Sequence, residues 1–214
     1  IHLLISQHKV EEALEEYMEL ADIYYRLAEL DKARSTYMTA LKMAQQSANN
    51  RTWGVEILLK VADIDLQRLN LRQAVRIYEQ VRTLQPDDPS IRTQIVLLNF
   101  RLGQDAAALS EVDSLINVLE SSGRRRQAID FLNDLLVEEG RNLDMRRRLA
   151  DLCARDGRIP EAVAQLDAVA EAYLDEGKML EAINIMETII ALKPANVEEF
   201  RTALDELRRN SLRR

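Results

Sequence analysis

The sequence predicts an all-α fold, a solenoid of stacked antiparallel helix hairpins. Three observations carry this reading. Apolar residues recur at i, i+3, i+4 and i+7 in successive stretches, each time one face of a helix. Small residues, mostly alanine, stand at fixed intervals within those faces. Gly and Pro are scarce, 6 and 4 in 214 residues, and alternating β-branched runs are missing, so long helices with short connections are expected. Helix content should then lie far above the usual share of about a third.

Ile1 to Ser6 reads as the tail of a helix that starts upstream, and the first complete helix starts near Val10. In the stretch Tyr17 to Leu41, Tyr17, Leu20, Ala21 and Tyr24 share one helical face. Leu30-Asp31 breaks the pattern, and Ala33, Tyr37, Ala40 and Leu41 repeat it on a second helix. Ala21 and Ala33 let the two backbones approach to about 8–10 Å, the close end of helix packing. Tyr17, Tyr24 and Tyr37 fill the space around that contact. The hairpin keeps apolar surface on its outer side, which only a stacked neighbour can bury.

After a polar connection at 45–50, Leu58, Val61 and Ala62 mark one helix, and Ala74 and Tyr78 mark the next, which Pro86 terminates. Asp65 stands where an apolar side chain is expected, which predicts a looser hairpin here. Asp88-Pro89-Ser90 opens a further helix, with Pro89 near its first position. Ile95, Val96, Ala108, Val112 and Leu115 follow as core positions.

A longer period then emerges. Gly103 and Gly157, Gly123 and Gly177, Ala108 and Ala162, and Ala128 and Ala182 are each 54 residues apart. The glycines permit the left-handed backbone that ends a helix. Leu149, Ala150 and Cys153 on a helix over 143–155 should pair with the helix after Pro160. The helix around 159–176 serves two neighbours, through Ala162, Leu166 and Val169 and through Val169, Ala170 and Tyr173. It is therefore expected to be more buried than its neighbours, and the superhelix to change course there. A later helix over 179–193 ends at Pro194, and 196–210 is an amphipathic cap with Val197, Phe200, Leu204 and Leu207 on one face.

Tyr17, Leu20, Ala21, Tyr24, Ala33, Tyr37 and Ala40 resemble the tetratricopeptide repeat in residue type and interval. The distance from Ala74 to Ala108 is that family's 34-residue period. The resemblance covers about residues 8–195. It implies one right-handed superhelical domain over 1–214, with units about 8–46, 55–88, 89–122, 123–141, 143–176 and 177–195 and the cap at 196–210. It also implies a concave groove lined by the first helix of each unit. Carried over position by position, the groove falls on Asp22, Tyr25 and Arg26, then on Leu59, Asp63 and Gln67. It continues on Thr93, Leu97, Phe100 and Arg101, and on Arg147, Asp151 and Arg155. The lysine and asparagine with which chaperone-binding members clamp a terminal carboxylate are replaced by Met18 with Asp22 and Leu59 with Asp63, so that clamp is absent.

Composition narrows the chemistry. A net charge of −7, with 36 acids against 29 bases, argues against a general nucleic-acid binder. Arg124-Arg125-Arg126 and Arg146-Arg147-Arg148 could serve an acidic peptide, although neighbouring acids balance them. The lone Cys153 sits at a core-facing position and forms no internal disulfide. His2 and His8 have no metal-ligand partner nearby, phosphate loops and hydrolase motifs are missing, and no cofactor or catalysis is expected. No uninterrupted apolar run approaches the ~18 residues of a membrane span. The expected function is a non-enzymatic scaffold that binds a protein or peptide partner, cytoplasmic and part of a larger bacterial chain. The second reading is a sensor or regulatory segment attached to an effector.

Overall fold

The computed structural model describes residues 9–45 and 50–211. The expected helix tail at Ile1–Ser6, both histidines and the centre of the 45–50 connection lie outside the described residues. Among the described residues every regular element is a helix. They are α1 (Val10–Arg26), α2 (Leu30–Ala44), α3 (Asn50–Gln67), α4 (Leu71–Leu84), α5 (Pro89–Arg101), α6 (Asp105–Ser121), α7 (Arg125–Glu138), α8 (Leu143–Arg155), α9 (Ile159–Asp175), α10 (Met179–Ala191) and α11 (Val197–Ser211).

The chain divides into two compact units inside α6, one running to Leu115 and the other starting at Ile116. In the first, α1 through α5 pack in series, each against the next. Its core joins Leu14, Ala21, Ala33, Tyr37, Ile57, Ile64, Ala74 and Ile95. In the second, α7 through α11 pack in series, over Leu132, Leu135, Met145, Leu149, Leu166 and Ile189. The interval alanines sit where helices touch: Ala21, Ala33, Ala74, Ala108, Ala162 and Ala182 are all fully buried. Tyr37 is buried among them, whereas Tyr24 and Tyr173 are half-buried, with lysines over their rings.

One device makes most of the hairpins. Six turns of three residues put their middle residue in the left-handed region: Ala28, Leu69, Gly103, Gly123, Gly157 and Gly177. After each, a backbone N–H reaches five residues back, as Asn70 donates to Asp65 at 2.8 Å and Arg124 to Leu119 at 2.8 Å. This paired closure satisfies carbonyls that the helix end would leave open. The first turn therefore lies at 27–29, and Leu30-Asp31, where the sequence pattern breaks, already belongs to α2. The sequence cue is glycine, and here the position is held by Ala28.

The 54-residue period is a three-helix period. The bounds of α4, α5 and α6 recur in α7, α8 and α9 shifted by that interval, and α11 starts 54 residues after α8. Asp88 and Asn142 both cap their helices, accepting from Ser90 N at 2.8 Å and Met145 N at 3.0 Å. Arg92 reaches back to the Pro86 carbonyl through Nε at 3.1 Å and Nη2 at 2.9 Å, and across to Glu111 at 2.7 Å. Arg146 does the same to the Gly140 carbonyl, at 3.0 and 2.7 Å, and to Gln165 at 2.8 Å. Arg146 thus occupies a normally apolar slot because it closes the preceding four-residue loop.

Two expectations need correction. Asp65 does not loosen its hairpin: it is 1% exposed, and Arg34 of α2 grips both of its oxygens, at 2.9 and 3.0 Å. Such a two-point guanidinium–carboxylate fit ties adjacent hairpins together. Nor is α9 more buried than its neighbours. Val169 and Ala170 are 0% and 2% exposed, but Leu149, Ala150 and Ala182 are equally hidden. Every central helix of the stack packs on two sides, so α9 is ordinary in this respect. On α11 only Leu204 is fully buried, with Val197, Phe200 and Leu207 half-buried.

Two predictions follow from the turns and the arginines. Leu69 is 81% exposed in the place held by Gly123 and Gly177. Leu69→Gly should stabilise the chain by about 1 kcal/mol, and Gly123→Ala should destabilise it by about as much, in urea unfolding. Equal signs for the two variants would refute the backbone account. Arg92→Met should cost about 3 kcal/mol, the low end for breaking a buried ion pair because Arg82 still reaches Glu111. Arg146→Met, facing neutral Gln165, should cost about half that.

Candidate functional site

In the first unit the sequence-assigned positions Asp22, Tyr25, Asp63 and Gln67 come together between α1 and α3. The Tyr25 hydroxyl donates to Asp63 Oδ2 at 2.5 Å, and Gln67 Nε2 donates to both Tyr25 and Asp63. Lys60, which sequence reasoning passed over, pairs with Asp22 Oδ1 at 3.0 Å, and the Tyr37 hydroxyl donates to the same carboxylate. The Asp63 hydrogen bond is the main reason the Tyr25 phenol is raised above its ordinary value. Burial pushes Asp22 up, but the bonds from Tyr37 and Lys60 outweigh it and hold the carboxyl below its ordinary value. Both carboxylates are thus committed to neighbours on this face. Arg26 folds back onto its own helix, donating to the Asp22 carbonyl at 3.3 Å.

On α5 the stripe Thr93, Leu97, Phe100 and Arg101 runs from half-buried through buried to fully exposed at Arg101. It joins no hydrogen-bond network with α1 or α3 among the described contacts. Leu59 of α3 is 36% exposed and Ile23 of α1 is 40% exposed, which leaves apolar surface beside the polar network.

In the second unit, Arg147, Asp151 and Arg155 lie along α8. Arg155 pairs with Asp151 and with Glu120 at 2.6 Å, and Arg125 meets Glu120 at 2.8 Å. Arg125 also donates to the Arg155 carbonyl at 3.0 Å. Arg125 and Arg146 therefore serve the fold. Arg147 is exposed and takes part in no hydrogen bond or ion pair among the described residues.

Arg147 stands at the rim of an open trough of about 470 Å³ between α8 and α10. Asp144, Arg148 and Asp151 share the rim, and Leu166, Ile185 and Leu192 lie beneath, with Thr188 on the α10 side. Sequence reasoning found Arg147 and Asp151 but missed Ile185, Thr188 and Leu192. Their i, i+3, i+7 spacing was a legible stripe, but that it faces α8 is a tertiary fact. Among the described residues no group of three or more His, Cys, Asp or Glu could hold a metal ion. No helix among them is long and apolar enough to cross a membrane.

These features define the class: an α-helical repeat protein made of antiparallel hairpins with open inter-helix troughs. The tetratricopeptide resemblance holds, since the family model described as Tetratricopeptide repeat matches residues 114–176, from the end of α6 through α9. A second family model, described as Soluble NSF attachment protein, SNAP, matches residues 1–95. The stretch 17–41, on which the resemblance is read in the sequence, thus falls under the second model.

Among solved structures the chain is similar to BtubC (BKLC) from P. vanneervenii, at 14% identity and TM-score 0.50, covering 95% of this chain and 86% of that one. It is also similar to the TPR domain of P58(IPK), at 18% identity and TM-score 0.44, covering 98% of this chain and 69% of that one. A tetratricopeptide repeat protein from Parabacteroides merdae is similar at 15% identity and TM-score 0.40, with 95% of each chain covered. At such identities the likeness is one of fold. Among curated proteins there is no match.

Glu120 offers a test of the α8 electrostatics. Burial raises its carboxyl, but the pairs with Arg125 and Arg155 prevail and hold it below its ordinary value. A carboxyl depressed by folding adds stability above its unfolded value, and this is lost as the pH falls through the folded value. Glu120→Gln should therefore destabilise at neutral pH, and the gap to wild type should shrink as unfolding is measured down to about pH 3. A gap constant across that range would disprove the paired state.

Proposed function

We propose that the chain is a non-enzymatic scaffold that binds a protein or peptide partner on the exposed faces of α1, α3 and α5 in the first unit and of α8 and α10 in the second. The single observation that carries this is the open trough between α8 and α10, apolar beneath and charged at the rim. Its volume of about 470 Å³ lies within the roughly 300–1,000 Å³ typical of ligand sites. The fold class supports it, because stacked hairpins leave extended surfaces suited to helices or extended peptides. Asp22 and Asp63 present carboxylates where a terminal-carboxylate clamp would need cations, which disfavours chaperone-tail binding. A negative chain disfavours nucleic acid. The sensor reading has no observation of its own on this chain.

The test is selection of a displayed peptide library against the immobilised chain, followed by solution affinities of the enriched peptides. Arg101→Glu combined with Arg147→Glu should weaken them at least about tenfold, the effect of reversing a charge inside an interface. Unchanged affinity would remove these faces from the binding surface.

A further inference from the structure

We propose that the α8–α10 trough takes an amphipathic helix of a partner protein, seating two aliphatic side chains on Leu166, Ile185 and Leu192 and placing a glutamate or aspartate against Arg147. This rests on the scaffold reading and deepens it by specifying one occupant at one of its faces.

Shape argues for a helix. The turns at 156–158 and 176–178 fold α8 and α10 back along α9, so the two run side by side with α9 beneath. The lining on α8 runs from Asp144 to Ala154, which is about 15 Å at 1.5 Å per residue. Such a straight trough matches three turns of a helix lying along it, with anchors at i and i+4. Small residues keep it open: Ala150 and Ala154 on α8 face Thr188 on α10, where larger side chains would close the gap.

Charge argues for an acidic group on the occupant. The rim carries two arginines and two aspartates, yet they are not equivalent. Asp151 is held by Arg155, and Arg148 donates to the Asp144 carbonyl at 3.2 Å. Arg147 is the rim charge left without a described partner. A carboxylate one helical turn from an aliphatic anchor satisfies it while the anchor covers Ile185 and Leu192.

The probe is a blocked, alanine-based peptide of fifteen residues with leucines at i and i+4 and a glutamate at i+8, carrying a fluorophore. Its anisotropy is titrated with the full chain. Replacing the probe's glutamate by glutamine should weaken binding about three- to fivefold, the scale of one partly exposed ion pair. On the Arg147→Gln chain the two probes should bind alike. Thr188→Trp, at an exposed position, should abolish binding of both while the urea midpoint stays that of wild type. Absence of binding on the wild-type chain, a glutamate preference that survives Arg147→Gln, or equal binding of a proline-interrupted probe that cannot form a helix would each overturn the proposal. Library-selected peptides that still depend on Arg101 in any of those cases would leave the scaffold reading standing, so the two failures are distinguishable.

Discussion

Helix axes in this chain come close enough to share a core only where a methyl group separates two backbones. The buried alanines Ala21 and Ala33, Ala62 and Ala74, Ala150 and Ala162 mark those places on successive helices. A larger side chain there would have to push a helix outward or leave its rotamer, since cores are packed nearly as densely as organic crystals. Everything else is arranged around this close approach. Tyr37 and the leucines and isoleucines fill the wedges to either side, and a helix in the middle of the stack is buried on two flanks as a matter of course.

Polar chemistry is spent on joining the hairpins before any is left for a partner. Paired backbone bonds close the three-residue turns, and Arg92 and Arg146 close the four-residue ones. Arg34 and Asp65 bind one hairpin to the next with a buried guanidinium–carboxylate pair. Once these groups are accounted for, the side chains free for recognition are few. They are an arginine at the α8 rim, another at the end of α5, and aliphatic surface such as Leu59. A scaffold of this kind is recognised by subtraction, from what its own fold does not use.

Fold and role separate cleanly here. Stacked hairpins make extended surfaces, but partners are chosen by particular side chains on those surfaces. The two family models fall on different stretches of one continuous run of helices. The helix bounds that repeat at 54 residues run through α4 to α9, across the interval between those stretches. Local geometry in this chain is therefore more uniform than its sequence likenesses.

Helical period, small-residue spacing and the glycines at 103, 123, 157 and 177 were legible in the linear sequence, because each depends on the local backbone alone. For the same reason, the start of α1, the Asp88 cap and the end of the helix before Pro86 could be placed from neighbouring residues. The turn at 27–29 was misplaced because its left-handed residue is an alanine, which carries no such cue. Asp65 looked like a defect because its partner Arg34 lies 31 residues away, and Arg146 looked like one because Gln165 lies 19 away. The stripe on α10 could be read, but not that it faces α8 across a trough. Residue type and spacing determined which surfaces had to be buried. Only the packed structure decided which charges met inside and which single arginine stayed outside, because ion pairing depends on distances between helices that no local pattern encodes.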